Sequence, residues 1–161
     1  MIIAITGTPG TGKTTLAKEI SEKTSIPIID IDRFLDDKTV LKYDQERETK
    51  IVDEEKLAKI VERYILKESI TDGIIDSHLS HYFSTKIVDI CIVISCDIKI
   101  LKKRLEKRGY NELKVSENLE TEAFDEILHE AEESGHNIIH IDNSKKIDVK
   151  KIIEQIKKNK N

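Results

Sequence analysis

Three observations predict a three-layer α/β domain built on a parallel sheet. Short apolar runs near 2–6, 26–29, 73–76, 89–95 and 138–141 alternate with longer segments of helical period. These runs are continuously apolar and rich in Ile rather than alternating in and out, as strands buried on both faces are. The first of them leads directly into a glycine-rich turn that opens a helix, the start of a strand–helix–strand unit. At 161 residues the whole chain, 1–161, is expected to form one domain.

Each element has its own justification. Ile2-Ile3-Ala4-Ile5 forms the first strand, and the helix after it, about 13–23, places Leu16, Ala17 and Ile20 on one face. Ile26-Pro27-Ile28-Ile29 gives a short second strand, after which Asp30 or Asp32 caps a short helix carrying Arg33, Phe34 and Leu35. Residues 38–52, with Tyr43 and Arg47, are polar and lack an apolar period, so they read as a mobile segment. Asp53 caps a helix to about Lys67 with Leu57, Ile60, Val61, Tyr64 and Ile65 in register. Gly73-Ile74-Ile75-Asp76 is the third strand, and 89–95 the fourth. Asp97 caps a helix bearing Ile100, Leu101 and Leu105 that stops at Gly109. One helix is expected over about 116–133, then a fifth strand at 138–141 and a last helix over about 147–158.

Composition narrows the field. A formal net charge of −4 gives no general grip on nucleic acid or an anionic membrane. The amino-terminal apolar run is too short for a signal peptide, and no stretch approaches the roughly 20 apolar residues of a membrane span. The expected setting is the cytoplasm. Cys91 and Cys96 have no His or Cys companions at metal spacing and read as buried reduced thiols. Lys150, Lys151, Lys157, Lys158 and Lys160 read as a solvated helix face and a frayed tail.

The chemistry begins at Gly7-Thr8-Pro9-Gly10-Thr11-Gly12-Lys13-Thr14-Thr15, the phosphate-binding loop pattern, with a buried strand before it and a helix after it. Its glycines let successive backbone N–H groups converge on one concavity at the positive end of a helix, which suits the phosphates of ATP. Lys13 is placed for the β- and γ-phosphates, Thr14 for Mg²⁺ and Thr15 for the α-phosphate. Asp76 ends an apolar strand in the Walker-B manner and is the second metal candidate. His78, two residues on, is placed to orient a water or meet the transferring phosphoryl group. His81, His129, His136 and His140 read as bystanders. Arg104 and Arg108 share a helix face and offer charge to phosphate oxygens, with Arg108 also able to stack on adenine. The polar stretch after Arg108 has the size of a small lid. Asp30, Asp32 and Arg33 lie where small-molecule kinases shape an acceptor pocket, although capping explains the two aspartates equally well.

Taken together, these motifs resemble the adenylate kinase isoenzyme-six type, also described as the coilin-interacting nuclear ATPase family. The likeness rests on residues 7–15, on Ile75-Asp76-Ser77-His78, on Arg104-Leu105-Glu106-Lys107-Arg108-Gly109-Tyr110-Asn111-Glu112 and on the acidic helix beyond, and covers about 1–135. It implies a nucleoside monophosphate kinase fold with parallel strand order 2-3-1-4-5. It also implies Mg²⁺-dependent phosphoryl transfer from ATP to AMP or other nucleoside monophosphates, with an ATPase activity beside it. Asp76 and His78 correspond to the catalytic Walker-B pair and Arg108 to the lid arginine. The monophosphate segment falls at about 30–52 and the lid at about 107–117, with Arg33 carried over as the acceptor-site residue. The resemblance further implies a late role in small ribosomal subunit maturation, through the universal small-subunit ribosomal protein eleven and the precursor particles. Two departures are visible. Asp76-Ser77-His78-Leu79-Ser80 replaces the Asp-Gly-Phe-Pro-Arg type segment of ordinary adenylate kinases, and Asp32-Arg33-Phe34-Leu35 lacks the usual Gly-Asp-Leu wording. Asp30-Ile31-Asp32 also resembles a shikimate kinase segment, but the glycine run of those enzymes at the third strand is missing.

A small lid seals water out of a phosphoryl-transfer site poorly, so hydrolysis is expected beside transfer.

Overall fold

The computed structural model describes residues 1–36 and 38–159. Five parallel strands form the main sheet: β1 (Ile2–Thr6), β2 (Ile28–Ile29), β5 (Gly73–Asp76), β6 (Ile90–Ser95) and β7 (Ile138–Asp142). Their spatial order is β2-β5-β1-β6-β7. Counting only these five strands along the chain, that is the expected order 2-3-1-4-5. Two further strands, β3 (Val40–Asp44) and β4 (Thr49–Val52), make a separate antiparallel hairpin.

The alternation of side chains along β1 divides the core. Ile2 and Ala4 face one way, onto α2 (Glu54–Lys67) and α5 (Glu126–Glu133), through Leu57, Ala58, Val61, Ile65 and Ala131. Ile3 and Ile5 face the other way, onto α1 (Lys13–Thr24) and α6 (Val149–Lys158), through Leu16, Ala17, Ile20, Ile152 and Ile156. A smaller cluster of Cys96, Leu101, Leu105 and Val115 joins α3 (Ile98–Lys107) to α4 (Glu112–Ala123). Burying each such aliphatic side chain contributes about 1.5–3 kcal/mol, and the two continuous faces explain why the strands read as unbroken apolar runs. Cys91 is fully buried within β6, where burial pushes its thiol up to about 12.

Helix starts follow the aspartates. Asp53 accepts from the Lys56 N–H, Asp97 from those of Lys99 and Ile100, and Asp148 from those of Lys150 and Lys151. Asp30 accepts from the Asp32 N–H at 3.0 Å and so shapes the entry to a single 3₁₀ turn, Asp32–Phe34. Of the terminal lysines, Lys160 lies outside the described residues.

Two expectations are corrected. Residues 38–52 are not a structureless segment: they hold the β3–β4 hairpin, paired from Val40↔Val52 to Asp44↔Thr49. Its order comes from polar contacts that carry no apolar period. Asp44 accepts from the Arg47 N–H across the turn, and the buried Thr39 hydroxyl donates to the Phe34 carbonyl at 2.8 Å. The Asp53 N–H also donates to the Thr39 carbonyl at the base. The single helix expected over 116–133 is two helices. Asn111 caps α4 by accepting from the Lys114 N–H, so the helix begins at Glu112. The chain then breaks at Phe124-Asp125, where Asp125 adopts a left-handed φ of 50°. Consequently the expected lid, 107–117, is a helical corner: the end of α3, a turn at Gly109 with φ 77°, and the first turns of α4.

Candidate active site

Because all five strands of the main sheet run parallel, Thr6, Asp76, Ser95 and Asp142 end on the same edge. Ile5 lies beside Asp76 in register, so the strand that leads into the phosphate loop ends next to the Walker-B strand end. Ligands of open α/β sheets bind outside this edge. A cleft of about 710 Å³ lies there, lined by Lys13, Thr14, Asp32, Arg47, Lys50, Asp76, His78, Arg108 and Lys114 among others.

Two glycines are required by geometry. A Cβ on Gly7 would collide with the Ile94 carbonyl oxygen, and one on Gly12, whose φ is 108°, would collide with the Asn143 side-chain amide. The loop is stapled from within by Thr11, whose hydroxyl and N–H both donate to the Thr8 carbonyl, at 2.8 and 3.2 Å. Asn143, just beyond β7, donates to the Thr11 carbonyl at 2.6 Å. Lys13 folds over the loop, its ammonium donating to the carbonyls of Gly7 at 2.7 Å and Thr8 at 3.0 Å. Burial lowers its pKa to about 8; the Asp76 carboxylate opposes that shift and the Arg108 guanidinium adds to it.

Asp76 meets Lys13 from the neighbouring strand end. Its Oδ1 is buried with no hydrogen-bond partner among the described residues, while Thr14 is exposed at the start of α1. An orphaned carboxylate oxygen in a cleft that the Thr14 side chain also lines fits a hard cation and its water ligands. Among the described residues no three His, Cys, Asp or Glu side chains gather into a metal-binding group. A magnesium ion carried in by nucleotide phosphates needs none, because it takes only one or two ligands from protein. Thr15 is also exposed and lines a neighbouring pocket of about 220 Å³ with Gly12, Asn143 and Lys146.

His78 opens onto the cleft with an exposed side chain. The crowded walls still desolvate the ring. That desolvation, and after it the charges of Lys13, His81 and Lys114, lowers its pKa to about 4. The imidazole is therefore neutral at pH 7 and can accept a proton from water or from an acceptor oxygen.

The other expected residues separate. Arg108 lines the cleft. Arg104 instead turns beneath the loop, donating to the Asn143 carbonyl at 3.2 Å and, at a looser 3.4 Å, to the carbonyls of Gly10 and Thr11. Arg33 stacks over the rings of Phe34 and Tyr64, 4.7 and 4.1 Å from their centroids, and is not part of the cleft lining; its neighbour Asp32 is.

Several residues of the site carry no motif. His81 is buried and does not line the cleft. Its Nε2 lies 2.9 Å from a Glu130 carboxylate oxygen and its Nδ1 lies 2.9 Å from the Thr6 hydroxyl, which also donates to the His78 carbonyl. Burial, then the neighbouring His136, lowers the pKa of His81 to about 4, so this contact is a hydrogen bond of a neutral imidazole rather than an ion pair. His136 is buried too, its Nε2 lying 2.9 Å from the His81 carbonyl. Across the mouth of the cleft, Arg47 on the hairpin turn grips Glu117 of α4 through Nε and Nη2, the latter at 2.6 Å. Asn111 donates to the Glu46 carbonyl beside it. Neither bridge has a sequence signature, because each joins residues about 65–70 positions apart in an unpatterned polar stretch.

Sheet order, phosphate loop and cleft define a P-loop protein of the nucleotide-kinase type. Residues 3–125 match the family model described as "AAA domain". A protein of Methanocaldococcus jannaschii named "Putative adenylate kinase" is 38% identical over 97% of this chain and 84% of its own length. The adenylate kinase isoenzyme 6 homolog of Dictyostelium discoideum is 40% identical over 82% of this chain and 74% of its own. The chain belongs to the family of these archaeal proteins and the isoenzyme 6 homolog. Among solved structures, a deoxyadenosine kinase from M. mycoides with bound dATP shares the fold with a TM-score of 0.57, at 19% identity, over 98% of this chain and 99% of its own.

Proposed function

We propose that this protein transfers the γ-phosphoryl group of ATP to a nucleoside monophosphate, with AMP the first acceptor to test. The observation that carries this reading is the single continuous cleft. Its lining includes Lys13, Thr14 and Asp76 with its unpartnered oxygen, and also the charged residues Asp32, Arg47 and Lys50. A cleft so furnished suits two phosphorylated ligands approaching end to end. The names of the relatives support the same reading.

In this reading the loop N–H groups and Lys13 hold the triphosphate, and Thr15 meets the α-phosphate. Thr14 and Asp76 would hold Mg²⁺, which when bound neutralises charge on the phosphate oxygens. Arg108 and Lys114, which also line the cleft, offer charge to the oxygens of the transferring group. An acceptor phosphate oxygen forms a bond to the γ-phosphorus while the bond to the β-phosphate oxygen breaks, giving ADP and a nucleoside diphosphate. Arg104 serves through the loop it braces. Arg33 is left to the aromatic pair it stacks on, and the acceptor is assigned to the Asp32, Arg47 and Lys50 side. Neutral His78 faces the same space and can orient a water in place of an acceptor, which yields an ATPase activity.

A coupled assay of ATP and Mg²⁺ with each nucleoside monophosphate, beside a control without acceptor, tests this. Acceptor-dependent ADP formation that is lost in Lys13→Ala supports transfer. Turnover indifferent to every monophosphate overturns it. Phosphate release in the control, depressed in His78→Ala with ATP binding retained, supports the hydrolytic branch. A second reading, an ATP-driven assembly role on the small ribosomal subunit within the coilin-interacting branch, rests on the family resemblance alone. Co-purification with the small-subunit protein, lost on adding ATP, would favour it.

A further inference from the structure

His78 lines the cleft, yet among the described residues its ring makes no hydrogen bond of its own. Its placement is left to the backbone. The Ser77 N–H before it donates to the Ile5 carbonyl at 3.2 Å. The carbonyl of His78 itself accepts the hydroxyl of Thr6, also at 3.2 Å. Thr6 is the last residue of β1 and fully buried, and it is followed by Gly7, whose carbonyl takes the Lys13 ammonium. A buried hydroxyl costs free energy unless it is bonded, and this one has a second partner, the Nδ1 of His81 at 2.9 Å. His81 belongs to the 3₁₀ turn Ser80–Tyr82 that follows His78. One side chain of β1 therefore touches both ends of the segment 78–81.

The direction of these bonds follows from their far ends. Glu130 on α5 offers a carboxylate oxygen 2.9 Å from His81 Nε2. An ionised carboxylate only accepts, so Nε2 carries the proton and Nδ1 presents its lone pair to Thr6. The Thr6 hydroxyl then donates, its single proton shared between Nδ1 and the His78 carbonyl. The His81 carbonyl is tied as well, since it can only accept and His136 Nε2 lies 2.9 Å away. With ring and carbonyl both held, His81 is a fixed support for the Thr6 side chain. We propose that Thr6 is a positioning residue for His78: its hydroxyl fastens the turn from His78 to His81 onto the strand that enters the phosphate loop, and so sets where the imidazole stands in the cleft. This inference rests on the role given to His78 above. Loop and turn thereby hang from one residue, which precedes Gly7 in the chain and holds His78 across space. A valine in its place keeps the shape and loses both bonds, whereas a serine keeps the hydroxyl and gives up a methyl group.

The test compares Thr6→Val, Thr6→Ser, His78→Ala and the double variant Thr6→Val/His78→Ala, with Thr6→Ala taking the place of Thr6→Val should the latter not fold. Phosphate release from saturating ATP and Mg²⁺ without acceptor is measured beside ATP affinity by calorimetry, at a temperature where circular dichroism shows each variant folded. Loss of the hydroxyl predicts about fivefold or greater slowing of release in Thr6→Val, with ATP affinity within about twofold of the unaltered protein. Thr6→Ser is expected to restore most of the rate. In the double variant, release is expected to match that of His78→Ala, since Thr6 acts through that ring. Equal slowing by Thr6→Val in the presence and in the absence of His78 would overturn the proposal. So would an ATP affinity that falls in step with the rate, which would assign Thr6 to the phosphate loop. Nitrogen-15 NMR of the histidine rings in the ligand-free protein gives a readout that needs no turnover. The His78 ring signals should move in Thr6→Val and return in Thr6→Ser, and unmoved signals in Thr6→Val would also overturn the proposal. If the signals move while neither transfer nor hydrolysis depends on His78, the positioning stands and the role given to His78 fails.

Discussion

Lys13 combines two circumstances that seldom meet in one side chain. Its ammonium is satisfied by two loop carbonyls, yet burial brings its pKa down to about 8. Phosphate oxygens placed beside it favour the charged form and draw that pKa upward. Near pH 8 a fraction of the lysine is neutral in the free protein and must take up a proton when ATP arrives. Calorimetry of ATP binding in buffers of different ionisation enthalpy should thus show net proton uptake at about pH 8 that vanishes near pH 6.5. Affinity should fall as pH rises through this range. Uptake that is flat with pH would mean that Lys13 stays fully charged in the free protein.

Ser25 shows how an ordinary element end can be improved. It closes α1 in the left-handed conformation, φ 61°, with its N–H donating to the Ser21 carbonyl at 2.7 Å. Glycine is the residue that this position favours, since a Cβ costs energy there. Ser25→Gly is expected to stabilise the fold by roughly 0.5–1 kcal/mol, read as a higher urea midpoint at unchanged slope. Element identity was legible wherever burial left a period: the five sheet strands, α1, α2, α3 and α6 all show it. The hairpin was not, because β3 and β4 bury neither face fully, and their register is set by Asp44 and Thr39 acting on backbone groups. Nor was the break at Asp125, since a left-handed Asp inside an acidic helical run has no local marker. Of the site, the phosphate loop, Asp76, His78 and Arg108 could be read from motif and placement. Asn143 could not, since it acts through a contact between residues 132 positions apart.

For the molecule as a whole, one pH effect in the acid range comes from the buried His81, beside that of His78, whose pKa is lowered to the same value of about 4. His81 is 2% exposed, and its folded pKa of about 4 lies below the ordinary imidazole value of 6.5. The unfolded chain therefore binds the proton first as pH falls. Stability is complete above about 6.5 and is lost as pH drops toward 4, by on the order of 2–3 kcal/mol. Glu130, its partner, has its pKa raised by burial and works in the opposite direction, but its side chain is nearly half exposed and its share is smaller. Urea unfolding at pH 7 and pH 4.5 should show this loss, and His81→Asn should flatten the slope even if it lowers stability at both. An equal slope in the variant would assign the acid sensitivity to other groups.

The bridge from Arg47 to Glu117 spans the entrance with charge instead of apolar packing, and both partners keep more than a third of their side-chain surface in water. A fastening of that kind is cheap to undo and is weakened further by dissolved ions. Ionic strength is thus expected to tune ligand entry and exit. If release limits turnover, moderate salt should speed the steady state, and Glu117→Gln should reproduce the gain in dilute buffer while making the rate insensitive to added chloride.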